Sequence, residues 1–136
     1  AGVEIHEDVA STQPYFENAT VLLYAPERGT GMKVKVLEAF ACGLPVVTTS
    51  PGIEGLEIEE GVHATVQETD AGLIKATLDL LGDPMRQEAQ RRAARLLMET
   101  RYAPAAIIGR LENVYAAILD GHTPSPGRLP AAVAER

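Results

Sequence analysis

Cysteine is almost absent: Cys42 is the only one in 136 residues. No intrachain disulfide can form, and no cysteine-based zinc site can be assembled. Tryptophan is missing, and four Tyr and two Phe bring the aromatics to only 4%. The core must therefore be aliphatic, which suits parallel strands beneath helices better than a β-sandwich. Long apolar runs are missing too, and none approaches the ~20 residues that span a bilayer. The start AGVEIHEDV has neither the basic residues nor the apolar stretch of a secretory signal. There is no excess of positive charge: 12 Lys plus Arg stand against 19 Asp plus Glu, a formal net charge of −7. Sequence-independent nucleic-acid binding needs a basic surface to displace counterions, so an acidic chain of this size is a poor candidate for it. What remains reads as a soluble, cytoplasmic chain with one core.

Short apolar runs alternate with helical spacing along the chain. Residues 3–5 (Val-Glu-Ile) read as a short strand. Residues 12–19 read as a short helix, with Thr12 as N-cap and Pro14 in its first turn. The run 21–25 (VLLYA), stopped by Pro26, reads as a buried strand. After a glycine-bearing loop, residues 33–42 carry apolar side chains at 34, 36, 37, 40 and 41, a helical spacing. Gly43 and Pro45 stop that helix, Gly43 as its left-handed C′ residue. Residues 45–49 read as a second buried strand, 50–61 as a loop and 63–67 as an edge strand. Three helices follow. The first spans 70–81, with Leu73, Ile74, Thr77, Leu78 and Leu81 on one face and Gly82 at its end. The second starts at Asp83-Pro84 with a stripe of Met85, Ala89, Ala93, Leu96 and Leu97. The third follows Pro104, with Ile107, Ile108, Leu111, Val114, Tyr115, Ile118 and Leu119 as its buried face. Three prolines and little periodicity mark 121–136 as a flexible tail.

The pattern predicts an α/β fold: a parallel sheet of three to four short strands with helices, closed by a helical segment. A doubly wound sheet has about five or six strands. The expectation is therefore a partial Rossmann-like domain, whose earlier strands lie upstream and whose exposed sheet edge favours oligomer contacts.

The chemistry concentrates between Pro26 and Pro51. A strand ends at Pro26, and Gly29-Thr30-Gly31-Met32 leads into a helix that begins near Lys33. Helix N-termini present unpaired N–H groups and a positive dipole end, both favourable to phosphate. Glycines allow the backbone close to an anion, and Lys33 and Lys35 add positive charge. Glu38, one and a half turns in, can accept two hydrogen bonds from a vicinal diol such as ribose. A plain strand–helix turn with a solvated glutamate is the competing reading, since single glycine loops are weak signals.

The longer stretch GTGMKVKVLEAFACGLPVVTTSPGIEGL resembles the donor-binding signature of group 1 (family 4) retaining glycosyltransferases. Asp8, Asn18-Ala19, Leu80-Leu81-Gly82-Asp83-Pro84, Arg95, Tyr102 and the helix to Tyr115 also match, so the resemblance spans roughly residues 2–119. It implies a GT-B fold, with 1–120 as the second half of the C-terminal, nucleotide-sugar-binding domain. Glu38 matches the second glutamate of the E-x7-E motif, which holds the ribose hydroxyls. The first glutamate would fall at position 30, and Thr30 stands there. Gly29, Thr30, Gly31, Met32, Lys33, Lys35 and Glu38 are then the donor-binding set, with Thr49, Ser50 and Gly52 as weaker candidates. The resemblance also implies metal-independent transfer with no cofactor. The phosphate-binding Arg and Lys, the acceptor-binding domain and its histidine are expected upstream, so this stretch alone is expected to be inactive. The acceptor and the catalytic residues stay open. A non-catalytic Rossmann-like binding or assembly module remains the alternative, favoured by Thr30.

Other residues read more plainly. His6, His63 and His122 show no metal-ligand spacing. Cys42 reads as a small core thiol. Glu57, Glu59 and Glu60 form a small acidic cluster, read as a solvated loop rather than a metal site. Arg86, Arg91, Arg92, Arg95 and Arg101 read first as a solvated helix face with Glu88 and Glu99. The competing reading is a patch for an anionic membrane surface or the missing domain.

Overall fold

The computed structural model describes residues 2–28, 31 and 33–121. Gly29, Thr30, Met32 and the segment 122–136, with His122 and nearly all of the expected tail, lie outside the described residues. The chain divides into two compact units, residues 1–96 and 97–136.

The first unit is built on a three-stranded parallel sheet of β1 (Leu22–Tyr24), β2 (Val46–Thr48) and β3 (Thr65–Val66), in that order. Leu22 pairs with Val46 and Tyr24 with Thr48, while Val47 pairs with Thr65. Parallel neighbours need a crossover, and α2 (Val34–Ala41) supplies it between β1 and β2. It buries Val36, Ala39 and Phe40. Gly43 has φ +68°, the left-handed geometry expected of a helix-ending glycine. On β2 every side chain is buried, as its continuous apolar run predicts. Val47 packs with Leu73, Ala76 and Leu80 of α4 (Asp70–Leu81) and with Val21. Helix α1 (Gln13–Asn18) precedes β1 and buries none of its residues.

Several expectations are corrected. Residues 3–5 form no strand, and Val3 and Ile5 are exposed. β1 is only half-buried, with Leu23 50% exposed, because it pairs with β2 alone among the described residues. The loop after β2 contains a short helix, α3 (Ser50–Ile53). The buried face of α4 is Leu73, Ala76 and Leu80, while Ile74, Leu78 and Leu81 are exposed. In α5 (Pro84–Leu97) the stripe is rotated: Gln90, Ala94 and Leu97 are buried, while Met85 and Leu96 are exposed. The reason is polar. Gln90 Oε1 accepts from the N–H of Val46 (2.9 Å), and Gln90 Nε2 donates to Thr65 Oγ1 (3.2 Å). A buried amide tied to two strands outweighs the apolar pattern in orienting the helix.

The second unit holds a π-helical turn, Met98–Tyr102, and α6 (Pro104–Leu119). The Arg110 guanidinium donates to the carbonyl of Arg101. No residue of α6 is buried, and its expected core face is about half exposed at Ile107, Ile108, Leu111, Tyr115 and Ile118.

Candidate functional site

In an open parallel sheet the ligand crevice lies beyond the carboxyl ends of the strands. Here that end is formed by Pro26 after β1, Thr49 and Ser50 after β2, and Gln67 and Glu68 after β3. Helix α2 starts on the same side of its βαβ unit. Its first turn closes with Val36 N–H on the carbonyl of Lys33 (3.0 Å), so the amides of Val34 and Lys35 are the orphan donors of the helix start. Gly31 has φ +69°, a left-handed turn that a residue with a Cβ adopts only at a cost.

Lys33 is the most informative member. It occupies the N-cap position of α2 and is only 4% exposed. Its ammonium makes no ion pair or hydrogen bond with any described residue. A lysine at this position adds positive charge to a helix start whose dipole also favours an anion.

The other expected residues are distributed around that turn. Lys35 turns toward β1, its Nζ 5.8 Å from the centre of the Tyr24 ring. It also lines an open, mainly apolar cavity of about 400 Å³ with His6, Val9, Tyr15, Phe16 and Leu44. The cavity sits between α1, β1 and α2, and among the described residues Lys35 is the only expected donor-site residue in it. Glu38 is exposed on α2, and its carboxylate has no hydrogen-bond partner among the described residues. Its field reaches the end of the helix, where it helps to raise the Cys42 thiol. Gly29, Thr30 and Met32 are outside the described residues.

Thr49, Ser50 and Gly52 hold the strand ends together. Thr49 Oγ1 donates to the carbonyl of Pro26 (3.0 Å), and Thr48 Oγ1 to that of Tyr24 (2.5 Å). Ser50 donates through both N–H (2.9 Å) and Oγ–H (2.5 Å) to Glu68 Oε1. Those two bonds, the hydroxyl's first, lower the Glu68 carboxyl below its usual range. A Cβ at Gly52 would come 1.9 Å from Thr48 Oγ1, so only glycine fits there.

Cys42 is corrected: it is exposed, not a core thiol. What burial it has pushes the thiol up first, then the Glu17 and Glu38 carboxylates, with Arg95 opposing. The arginines are engaged within the chain. Arg91 Nε donates to the carbonyl of Gly43 (2.8 Å) and Arg95 to that of Ala41 (2.7 Å), closing the C-terminal end of α2. Arg86 donates to Thr65 Oγ1 (3.2 Å), and Arg92 pairs with Glu88 (2.6 Å). His63 Nδ1 accepts from the N–H of Glu59 (2.9 Å), and the His6 ring lies 5.0 Å from that of Tyr15. Among the described residues no three His, Cys, Asp or Glu are grouped to hold a metal ion, Glu57, Glu59 and Glu60 included. No helix among them is long and apolar enough to cross a membrane.

Glu68 and Gln90 have no sequence signal, and the bonds of Arg91 and Arg95 to the end of α2 have none either, because the partners lie 18 to 54 residues away. No curated protein and no solved structure matches the chain. The sequence profile of the family described as "Glycosyl transferases group 1" matches residues 1–83, more than half of the 136. The strand–turn–helix that carries Gly31, Lys33 and Glu38 lies wholly within that match, and the chain belongs to the group 1 glycosyltransferases.

Proposed function

We propose that this chain is the nucleotide-sugar-binding part of a retaining, hexose-transferring glycosyltransferase of the GT-B type. It would work in the cytoplasm, without metal or other cofactor. The observation that carries the reading is Lys33, packed at the N-terminus of α2 beside the left-handed Gly31, on the ligand side of a parallel sheet. Cleavage of a nucleotide-sugar leaves a nucleoside diphosphate, and amides and cations arranged beforehand at that charge lower the barrier. In this reading the amides at Gly31 and the α2 start, with Lys33 and Lys35, hold the diphosphate. Glu38 accepts the ribose hydroxyls. Acceptor binding and the remaining catalytic groups would come from a facing N-terminal domain, so the 136 residues would bind a donor without turning it over.

A second reading has one observation behind it. Thr30 stands where the family's motif has its first glutamate, and threonine lacks the carboxylate used there. A non-catalytic binding or assembly module would tolerate that change.

Calorimetric titration with UDP-, GDP- and ADP-sugars separates the two. The enzyme reading expects one of them to bind, and Glu38→Ala to weaken it by roughly 30- to 1000-fold, the loss of two charge-assisted hydrogen bonds. Glu38→Gln should cost less, since one oxygen still accepts, and Thr30→Ala should leave the nucleotide affinity close to that of the wild type. Unchanged affinity in a folded Glu38→Ala variant would reject the donor site and leave the module.

A further inference from the structure

The carboxyl ends of the three strands are strapped together by side chains. Thr49 ties the turn after β2 to Pro26, at the start of the segment leading to Gly31 and Lys33. Gly52 lets that turn sit against Pro26 and Thr48: a Cβ there would lie 3.3 Å from Pro26 Cδ, besides the clash with Thr48 Oγ1. On its other side the turn is held through Ser50, whose N–H and hydroxyl both reach Glu68 Oε1. The turn 49–53 is thus wedged between Pro26 and Glu68.

An exposed glutamate ordinarily stays in water, because fixing its side chain costs rotamer entropy. Glu68 is fixed nonetheless, with one oxygen taking two donors in charge-assisted geometry. The pair spans 18 residues of sequence, so it does not follow from local turn formation.

We propose that Glu68 is a positioning residue for the anion-binding turn: it holds Ser50, and through Thr49 and Pro26 it sets where Gly31 and Lys33 stand. Glu68 touches no ligand in this scheme. The ligand is the nucleoside diphosphate of the donor-site reading, on which the affinity half of the claim rests; the geometric half stands by itself.

The test uses the whole 136-residue chain in amide NMR, with and without UDP, GDP and ADP. The variants are Glu68→Ala, Glu68→Gln, Ser50→Ala and Ser50→Thr, with Glu112→Ala as a remote control. In the ligand-free chain, Glu68→Ala and Ser50→Ala should shift the amide resonances of Gly31 and Lys33, while Glu112→Ala leaves them in place. Ser50→Thr, which keeps both donors, should restore them, and Glu68→Gln, which keeps an acceptor oxygen, should fall between. Affinity for the diphosphate that binds should drop about tenfold in the two alanine variants, the scale of one charge-assisted bond, and recover in Ser50→Thr. Unmoved Gly31 and Lys33 amides in Glu68→Ala would overturn the proposal, whatever happens to affinity. If none of the three diphosphates binds the wild type, the donor-site reading falls, and the amide shifts alone decide whether Glu68 positions the turn.

Discussion

Replacing Gln90 by methionine tests the polar tie that orients α5 on the sheet. The side chain is 2% exposed, and methionine nearly matches its volume, so packing changes little. Two bonds are lost. The Val46 N–H loses its acceptor inside the sheet, and a buried donor left unpaired costs about 1–3 kcal/mol. Thr65 Oγ1 loses one donor but keeps the Arg86 guanidinium at 3.2 Å, so that loss is smaller, about 0.5–1 kcal/mol. The sum is about 1.5–4 kcal/mol, a large part of the ~5–15 kcal/mol that holds a domain together. Gln90→Ala should cost more, because a cavity is added to the same losses. Urea denaturation followed by far-UV circular dichroism would read it, with the midpoint falling and the slope unchanged. A methionine variant within about 0.5 kcal/mol of the wild type would refute the reasoning, since the mutational cost of an orphaned buried amide is larger than that.

Other perturbations follow from the same geometry. Gly52→Ala should destabilise by about 1–3 kcal/mol, since its Cβ would displace Thr48 Oγ1 from the carbonyl of Tyr24; an unchanged melting temperature would contradict the close approach. Glu68 has its folded pKa lowered by Ser50, so its contribution to stability is complete above the ordinary glutamate range and is lost as pH falls through the lowered folded value. A carbon-detected NMR titration should give a midpoint below that of free glutamate, and Ser50→Ala should move it back up. Cys42 is exposed but its thiol is raised, so at pH 8 it should alkylate more slowly than a cysteine in a short peptide. Glu38→Gln should speed that reaction by removing one of the two carboxylates; equal rates would place Glu38 too far from the helix end.

The elements on either side of the Gly31 turn were legible because their signals are local. β2 is an unbroken apolar run, α2 has helical spacing, and Gly43 takes the positive φ that ends a helix. Gly31, Lys33 and Glu38 follow from the order strand, glycine, helix, which a reader of the chain can see. What the spacing of charges did not reveal is that Lys33 is packed against the fold while Lys35 turns to Tyr24. Both are lysines two residues apart, and only the packing around each distinguishes them.

Elsewhere the tertiary structure decided. Periodicity reports where apolar side chains fall around a helix, but not which polar side chain will find a buried partner. In α5 the inward face was set by Gln90 and the N–H of Val46, 44 residues apart, so Met85 and Leu96 were left outside. The same holds for Glu68 on Ser50 and for Arg91 and Arg95 on the end of α2. In α6 the apolar stripe is a local property, while its burial depends on a surface to cover it, and those side chains stand exposed. Backbone preferences and breakers act over a few residues, so the chain itself determined the α/β order and the strand–turn–helix around Gly31. Hydrogen bonds across 18 to 54 residues form only once the strands are side by side, so the helix faces and the strapped strand ends belong to the folded structure.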